Sequence, residues 1–169
     1  MIIVITGASG VGKTTTLKAL AERIPAEKSV HFFHIDELVQ PNWDEIEDTS
    51  KWQEETTLEL LTMIVKTARV KGGHVIFEGS IDIKYYLQGF RKNDYANYKI
   101  ILFDCSPTVM QNRLIQRGQP ELYHQDMINW LNYLRKDAKE RKIKIIDTGN
   151  ASIDEIGQEL IKELDASLS

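Results

Sequence analysis

Eight residues near the start of the chain, Gly7-Ala8-Ser9-Gly10-Val11-Gly12-Lys13-Thr14, fit the pattern G-x-x-x-x-G-K-[ST] and restrict the fold more than anything after them. The pattern carries meaning only where a strand enters it and a helix leaves it. Both flanks are present. The apolar run Ile2-Ile3-Val4-Ile5 precedes it, and Thr15-Thr16-Leu17-Lys18-Ala19-Leu20-Ala21 follows with apolar residues at helical spacing. Glycines let successive backbone N–H groups curl toward one concavity, and the helix N-terminus adds its positive end. Lys13 then reaches the β- and γ-phosphates of a nucleoside triphosphate, Thr14 holds Mg²⁺, and Thr15 belongs to the same anion-binding set. ATP with Mg²⁺ is the expected ligand, with GTP open as an alternative donor.

The rest of the chain alternates strand-like and helix-like segments. Strands are expected at 30–35, 74–77, 99–103 and 143–146. Pro41-Asn42 breaks the pattern after the second strand, and Ser50-Lys51-Trp52-Gln53 resembles a capping box opening a long helix that Gly72-Gly73 stops. A short helix covers 83–90. Ser106 and Pro107 suit the cap and first position of a helix to about Arg117, a polar connection spans 118–124, and a further helix runs to about Arg141. Ser152-Ile153-Asp154-Glu155 caps the last helix. Such alternation implies right-handed crossovers and a parallel sheet with helices on both faces, an α/β fold. Ligands of such sheets sit beyond the carboxyl ends of the strands. That rule brings the glycine-rich loop, Asp36, Glu78 and the loop of Thr148, Gly149 and Asn150 to one rim.

Acids and arginines on that rim are the candidates for chemistry. Mg²⁺ keeps several waters and uses few protein ligands, so Thr14 calls for a nearby carboxylate. Asp36 and Glu78 each close a strand in this reading, and either can be the main Mg²⁺-linked acid; Asp36 can also accept a proton from an attacking hydroxyl. Glu37 is expected at the surface. Arg113 and Arg117, four apart, share a helical face and can close over the charge that phosphoryl transfer spreads on oxygen. Arg135 reads more simply as part of a solvated basic face. Cys105, His31, His34 and His74 read as structural, and Met63, Met110 and Met127 as helix core.

Composition removes several classes. The 169 residues suit one domain, and net charge −4 gives no electrostatic grip on long nucleic acid. No apolar run approaches the roughly 20 residues that cross a bilayer. One cysteine and no leader-like N-terminus lead us to expect a cytoplasmic protein, monomeric or homodimeric.

Together the N-terminal phosphate loop, the acid after strand two, the acid-Gly pair Glu78-Gly79 and the R-x-x-x-R of Arg113 and Arg117 resemble the P-loop small-molecule and nucleotide kinases. That group includes adenylate, shikimate and gluconate kinases and antibiotic O-phosphotransferases. The resemblance covers essentially the whole chain and implies a P-loop NTPase fold with sheet order 2-3-1-4-5. It also implies one domain over 1–169, with an acceptor-side segment at about 37–71 and a short lid at about 117–126. By it Lys13, Asp36 and Arg117 are catalytic, Arg113 and Arg117 contact ATP, and Gly149 and Asn150 pack the adenine. Glu78-Gly79-Ser80 stands where adenylate kinases carry Asp-Gly-Phe-Pro-Arg, so their monophosphate-gripping arginine is missing.

Between positions 36 and 59 lie nine acids and one base, Lys51. Carboxylates disfavour a bound anion. A neutral or cationic hydroxyl acceptor is therefore expected, with Trp43, Trp52, Tyr85 and Tyr86 as stacking surface. A nucleoside monophosphate kinase is the alternative. An NTPase or switch without a small-molecule acceptor is the alternative of another class. A GTPase would need N-K-x-D, which is absent, and an AAA-type motor needs a further helical domain for which this length leaves no room.

Overall fold

The computed structural model describes residues 1–24, 29–39, 41, 45–166; Asn42, Trp43 and Asp44, among the features weighed above, lie outside the described residues. Strand β1 (Ile2–Thr6) is wholly buried and forms the centre of the sheet. It pairs in parallel with β3 (His74–Glu78) on one side and β4 (Tyr98–Asp104) on the other. Strand β2 (Val30–His34) pairs with β3, and β5 (Lys144–Asp147) with β4, giving the order β2-β3-β1-β4-β5 with every pairing parallel.

A parallel sheet covered on both faces needs strands that are apolar on both sides, which is why β1 reads as an unbroken hydrophobic run. Its side chains divide with period two. Ile2 and Val4 enter one core with Leu61 and Ile64 of α3 (Thr49–Lys71), Tyr86 and Phe90 of α4 (Ile83–Lys92) and Leu134 of α6 (Gln125–Glu140). Ile3 and Ile5 enter the other with Leu17 of α1 (Lys13–Ala21), Met110 and Leu114 of α5 (Pro107–Gln116) and Leu160 of α7 (Ile153–Asp165). Each such side chain, fully buried, contributes roughly 1.5–3 kcal/mol. A slip of one residue in β1 would exchange the two cores.

Several local expectations change. Strand β2 stops at His34, and a single helical turn, α2 (Ile35–Leu38), follows, so Asp36 stands in a first turn and not at a strand end. Helix α3 is capped by Asp48, whose Oδ1 accepts from Lys51 N at 3.0 Å, because Ser50 already lies inside the helix. Ser106 caps α5 by accepting from Val109 N, and Ser152 with Glu155 forms a reciprocal capping box on α7. Met63 is not core: its position on α3 faces outward and leaves it 59% exposed. Tyr86 is fully buried, edge-on to Phe77, and Tyr85 is buried with it, so these two rings fill the core and offer no stacking surface. No described helix is long and apolar enough to cross a membrane.

Candidate active site

The loop between β1 and α1 is held open by close packing that only glycine permits at two points. A Cβ on Gly7 would lie 2.5 Å from the Phe103 carbonyl oxygen. Gly12, at φ 93°, caps α1 in a left-handed conformation that favours glycine, with Arg113 Nη1 3.2 Å from where a Cβ would stand. No side chain caps this helix end and no acid stands in its first turn, so its N–H groups face the loop as an anion-binding terminus.

Lys13 lies in this loop, buried, and its Nζ donates to the Gly7 and Ala8 carbonyls at 2.8 and 3.1 Å. Burial pulls its pKa down; Glu78 and Asp36 oppose that by attracting the cation, and Arg117 adds to it. Thr14 Oγ1 donates to Glu78 Oε1 at 2.8 Å, and His34 Nδ1 meets the same oxygen at 2.9 Å. Glu78 is buried at 2% exposure, placed there because its neighbours in register are Ile5 of β1 and His34 of β2. Ser80 Oγ donates to the Gly7 carbonyl at 2.9 Å, so the exit of β3 also braces the loop.

A second brace comes from the opposite side. Arg113 donates to the Val11 carbonyl and Thr148 Oγ1, each at 3.1 Å, and to the Thr148 carbonyl at 2.7 Å. Thr148 Oγ1 is in turn 2.5 Å from the Val11 carbonyl. The guanidinium thus ties the phosphate loop to the loop after β5. That loop is shaped by Asp147, which accepts from Gly149 N at 2.8 Å and Asn150 Nδ2 at 2.7 Å. Those bonds, the Gly149 N–H first, hold the Asp147 carboxyl below the usual range. Arg135 is spent elsewhere, on Asp104 Oδ2 at 2.8 Å and the Cys105 carbonyl at 2.7 Å. Glu37 pairs with Lys18 at 3.2 Å on the surface. Cys105 is buried, and burial pushes its thiol up.

Two cavities open on the phosphate loop. The smaller, about 460 Å³, is lined by Gly10, Gly12 and Thr15 with Arg113, Thr148 and Ile156. The larger, about 900 Å³, runs along Lys13 and Thr14 to Asp36, Gln53, Ser80 and Trp130. Arg117, exposed at the end of α5, lines both. Of the acids between positions 36 and 59, Asp36 is the one among the described residues that lines the larger cavity. At the β5 side the smaller cavity is lined by Thr148 and Ala151, with Gly149 and Asn150 forming the turn between them.

His34, Gln53, Ser80 and Trp130 were not singled out as site residues from the sequence. His34 was recoverable, because parallel pairing of β2 with β3 sets it opposite Glu78. The other three carry no local pattern: their place depends on how α3, the β3 exit and α6 pack around the cleft.

A parallel sheet in the order β2-β3-β1-β4-β5 with the glycine-rich loop between β1 and α1 is the P-loop NTPase fold. Residues 3–128 match the family described as the AAA domain, and the chain belongs to that family. It is 30% identical over 163 residues to a nucleotide-binding protein of Thermoanaerobacter sp. strain X514, covering 94% of this chain and 51% of the relative, and equally to one of Thermoanaerobacter pseudethanolicus. The chain therefore spans about half the length of the curated relatives it matches. Among solved structures it is similar to a sugar kinase from a Janibacter species (TM-score 0.70, 19% identity, 97% of this chain and 94% of that one). A gluconokinase from Sinorhizobium meliloti gives TM-score 0.68 at 19% identity, over 97% and 91% of the two chains. The tunicamycin resistance protein of Deinococcus radiodurans gives 0.68 at 21%, over 96% and 94%. The matched family bears the name of the AAA domain and the chain spans about half the length of its relatives, so chain length does not set motors of the AAA type aside and acceptor-independent hydrolysis is an alternative to transfer.

The residues fit a magnesium nucleotide. An uncapped helix end and a buried lysine suit phosphate oxygens, and a hydroxyl beside one carboxylate suits a hard cation that keeps its waters.

Proposed function

We propose that this chain is an ATP-dependent phosphotransferase that moves the γ-phosphoryl group to a hydroxyl of a small molecule. One observation carries this: two cavities meet at the same phosphate loop, and the larger is lined by a carboxylate, Asp36, that the smaller lacks.

In this reading ATP binds with its phosphates along residues 7–15 and its base toward Thr148, Gly149 and Asn150. Lys13 and the helix N-terminus hold the phosphate oxygens. Thr14 and Glu78 would hold the metal, with Asp36 as the other acid that could be linked to it; when bound, Mg²⁺ would neutralise charge on the transferring group. Asp36 takes the proton of the acceptor hydroxyl as its oxygen bonds to the γ-phosphorus, and the bond from phosphorus to the bridging oxygen breaks to release ADP. Arg117, at the junction of the cavities, and Lys13 stabilise the oxygens on which charge gathers. Residues 117–126 act as lid and 37–71 as the acceptor side of a single domain, working in the cytoplasm as a monomer or homodimer.

A neutral or cationic acceptor is favoured over a nucleoside monophosphate. The cations on the larger cavity, Lys13, Lys18 and Arg117, serve the transferring phosphate or pair with Glu37, which leaves no described cation there for a second phosphate. The test is ADP release with MgATP, with and without hydroxyl compounds. Release that requires a particular acceptor supports the reading; equal release without one replaces it by a hydrolase.

A further inference from the structure

The larger cavity has a sidedness that composition does not reveal. Trp130 of α6 lines it, and one side of the indole is covered by Tyr133, with ring centroids 5.5 Å apart and planes at 15°. Tyr133 is itself fixed, its hydroxyl donating to Asp82 Oδ2 at 2.8 Å. Asp82 is buried, caps α4 by accepting from Lys84 N, and its own N–H donates to Gln53 Oε1 at 3.1 Å. Gln53 lines the same cavity, and with its oxygen so engaged its Nε2 is the group left to donate. Ile81, Leu122 and Met127 add apolar surface to the same cavity. The chain Trp130–Tyr133–Asp82–Gln53 therefore presents an aromatic ring and an amide donor at fixed positions in the cavity that Asp36 also lines.

We propose that Trp130 is the specificity-determining platform of the acceptor site, and that the acceptor carries a ring with a flat apolar face, a pyranoside or a nucleoside, stacked on the indole with Gln53 donating to a polar ring substituent. A ring held so is oriented as well as bound, which brings one hydroxyl repeatedly toward Asp36. An acyclic polyol of the same hydroxyl content gains neither the stacking nor the orientation. This proposal rests on the phosphotransfer reading above and goes beyond it in naming the acceptor's shape.

The experiment measures ADP release with MgATP for methyl β-D-glucopyranoside, methyl α-D-mannopyranoside, uridine and cytidine against sorbitol and glycerol, in the wild type and in Trp130→Leu and Trp130→Phe. Leucine fills much of the volume where Trp130 packs against both cores and so guards against a folding failure, checked by thermal unfolding. The expected result is transfer to a ring compound, an acceptor KM raised roughly ten-fold in Trp130→Leu, a change within about threefold in Trp130→Phe, and an unmoved KM for ATP. Transfer only to the acyclic polyols, or an acceptor KM that Trp130→Leu leaves unchanged, overturns the platform while phosphotransfer stands. Binding of MgATP with no acceptor-dependent release from any of the six overturns both.

Discussion

The phosphate loop and the acceptor end of the larger cavity are built differently. At the loop the working groups are buried and tied down: Lys13 is 7% exposed, Glu78 2% and Thr148 3%, and each is hydrogen-bonded to the loop itself. Along the rest of the larger cavity, Asp36, Lys18, Arg117 and Gln119 are exposed, and the fixed elements are Trp130 and Gln53. Charges held in a dry, rigid loop act strongly on phosphate because no solvent has to reorganise. The acceptor side gains that advantage only when something covers it. One half is preorganised by the sheet, and the other is completed by what binds.

The largest effect should come from the rigid half. Lys13→Ala removes the buried cation and should lower kcat by roughly 10²–10³, with the fold retained on thermal unfolding. A loss below about five-fold would mean that the loop's amides suffice without the ammonium. Next is Asp36→Asn, on the open half. Proton acceptance of this kind is worth about 10²–10⁴ in rate, so kcat should fall at least roughly 10²-fold while ATP affinity, measured by calorimetry, stays within about threefold. Equal losses of rate and ATP affinity would place Asp36 with the nucleotide and erase the functional division between the two cavities.

Arg113→Ala sharpens the contrast from another direction, because it probes the brace and not the chemistry. It leaves the Val11 and Thr148 carbonyls without a charged donor and should cost about 1–3 kcal/mol of stability, with weaker ATP binding and an acceptor KM that does not move. A variant of unchanged stability but reduced kcat would turn the guanidinium from a brace into a group that acts on the phosphates.

What the sequence made legible follows the same division. The phosphate loop declares itself because its chemistry is local: backbone amides, one lysine and one threonine within a single turn. A parallel sheet covered on both faces follows from alternation and from the unbroken apolar run of β1, while its strand order came from the resemblance to the P-loop kinases. Glu78 was reachable as the end of a strand. The acceptor wall was not. Nine acids in one stretch suggested a carboxylate-lined pocket, yet among the described ones Asp36 alone lines the cavity, since side chains along α3 point in every direction around its axis. Tyr85 and Tyr86 were expected as stacking surface and Trp130 was not, and only the packing of α4 and α6 against the sheet reverses this.

The smallest effect lies at the edge of the rigid half, in the turn after β5. Asp147 accepts there from Gly149 N and Asn150 Nδ2, and those bonds hold its pKa below the ordinary carboxylate value. A carboxyl depressed on folding adds stability that is present above its unfolded pKa and fades as pH falls through its folded one, so the turn should loosen only in acid, below roughly pH 4. Asp147→Ala should remove that part of the acid dependence and cost about 0.5–1 kcal/mol at neutral pH, in line with other side-chain caps of exposed backbone. Because Thr148 joins this turn to the phosphate loop through Val11 and Arg113, ATP affinity should fall by a factor of a few. Thermal unfolding of wild type and variant between pH 3 and 7, with ATP titrations at pH 7, measures both. If stability falls but ATP affinity does not, the bonds of Arg113 and Thr148 hold the nucleotide side unaided and the turn serves the fold alone.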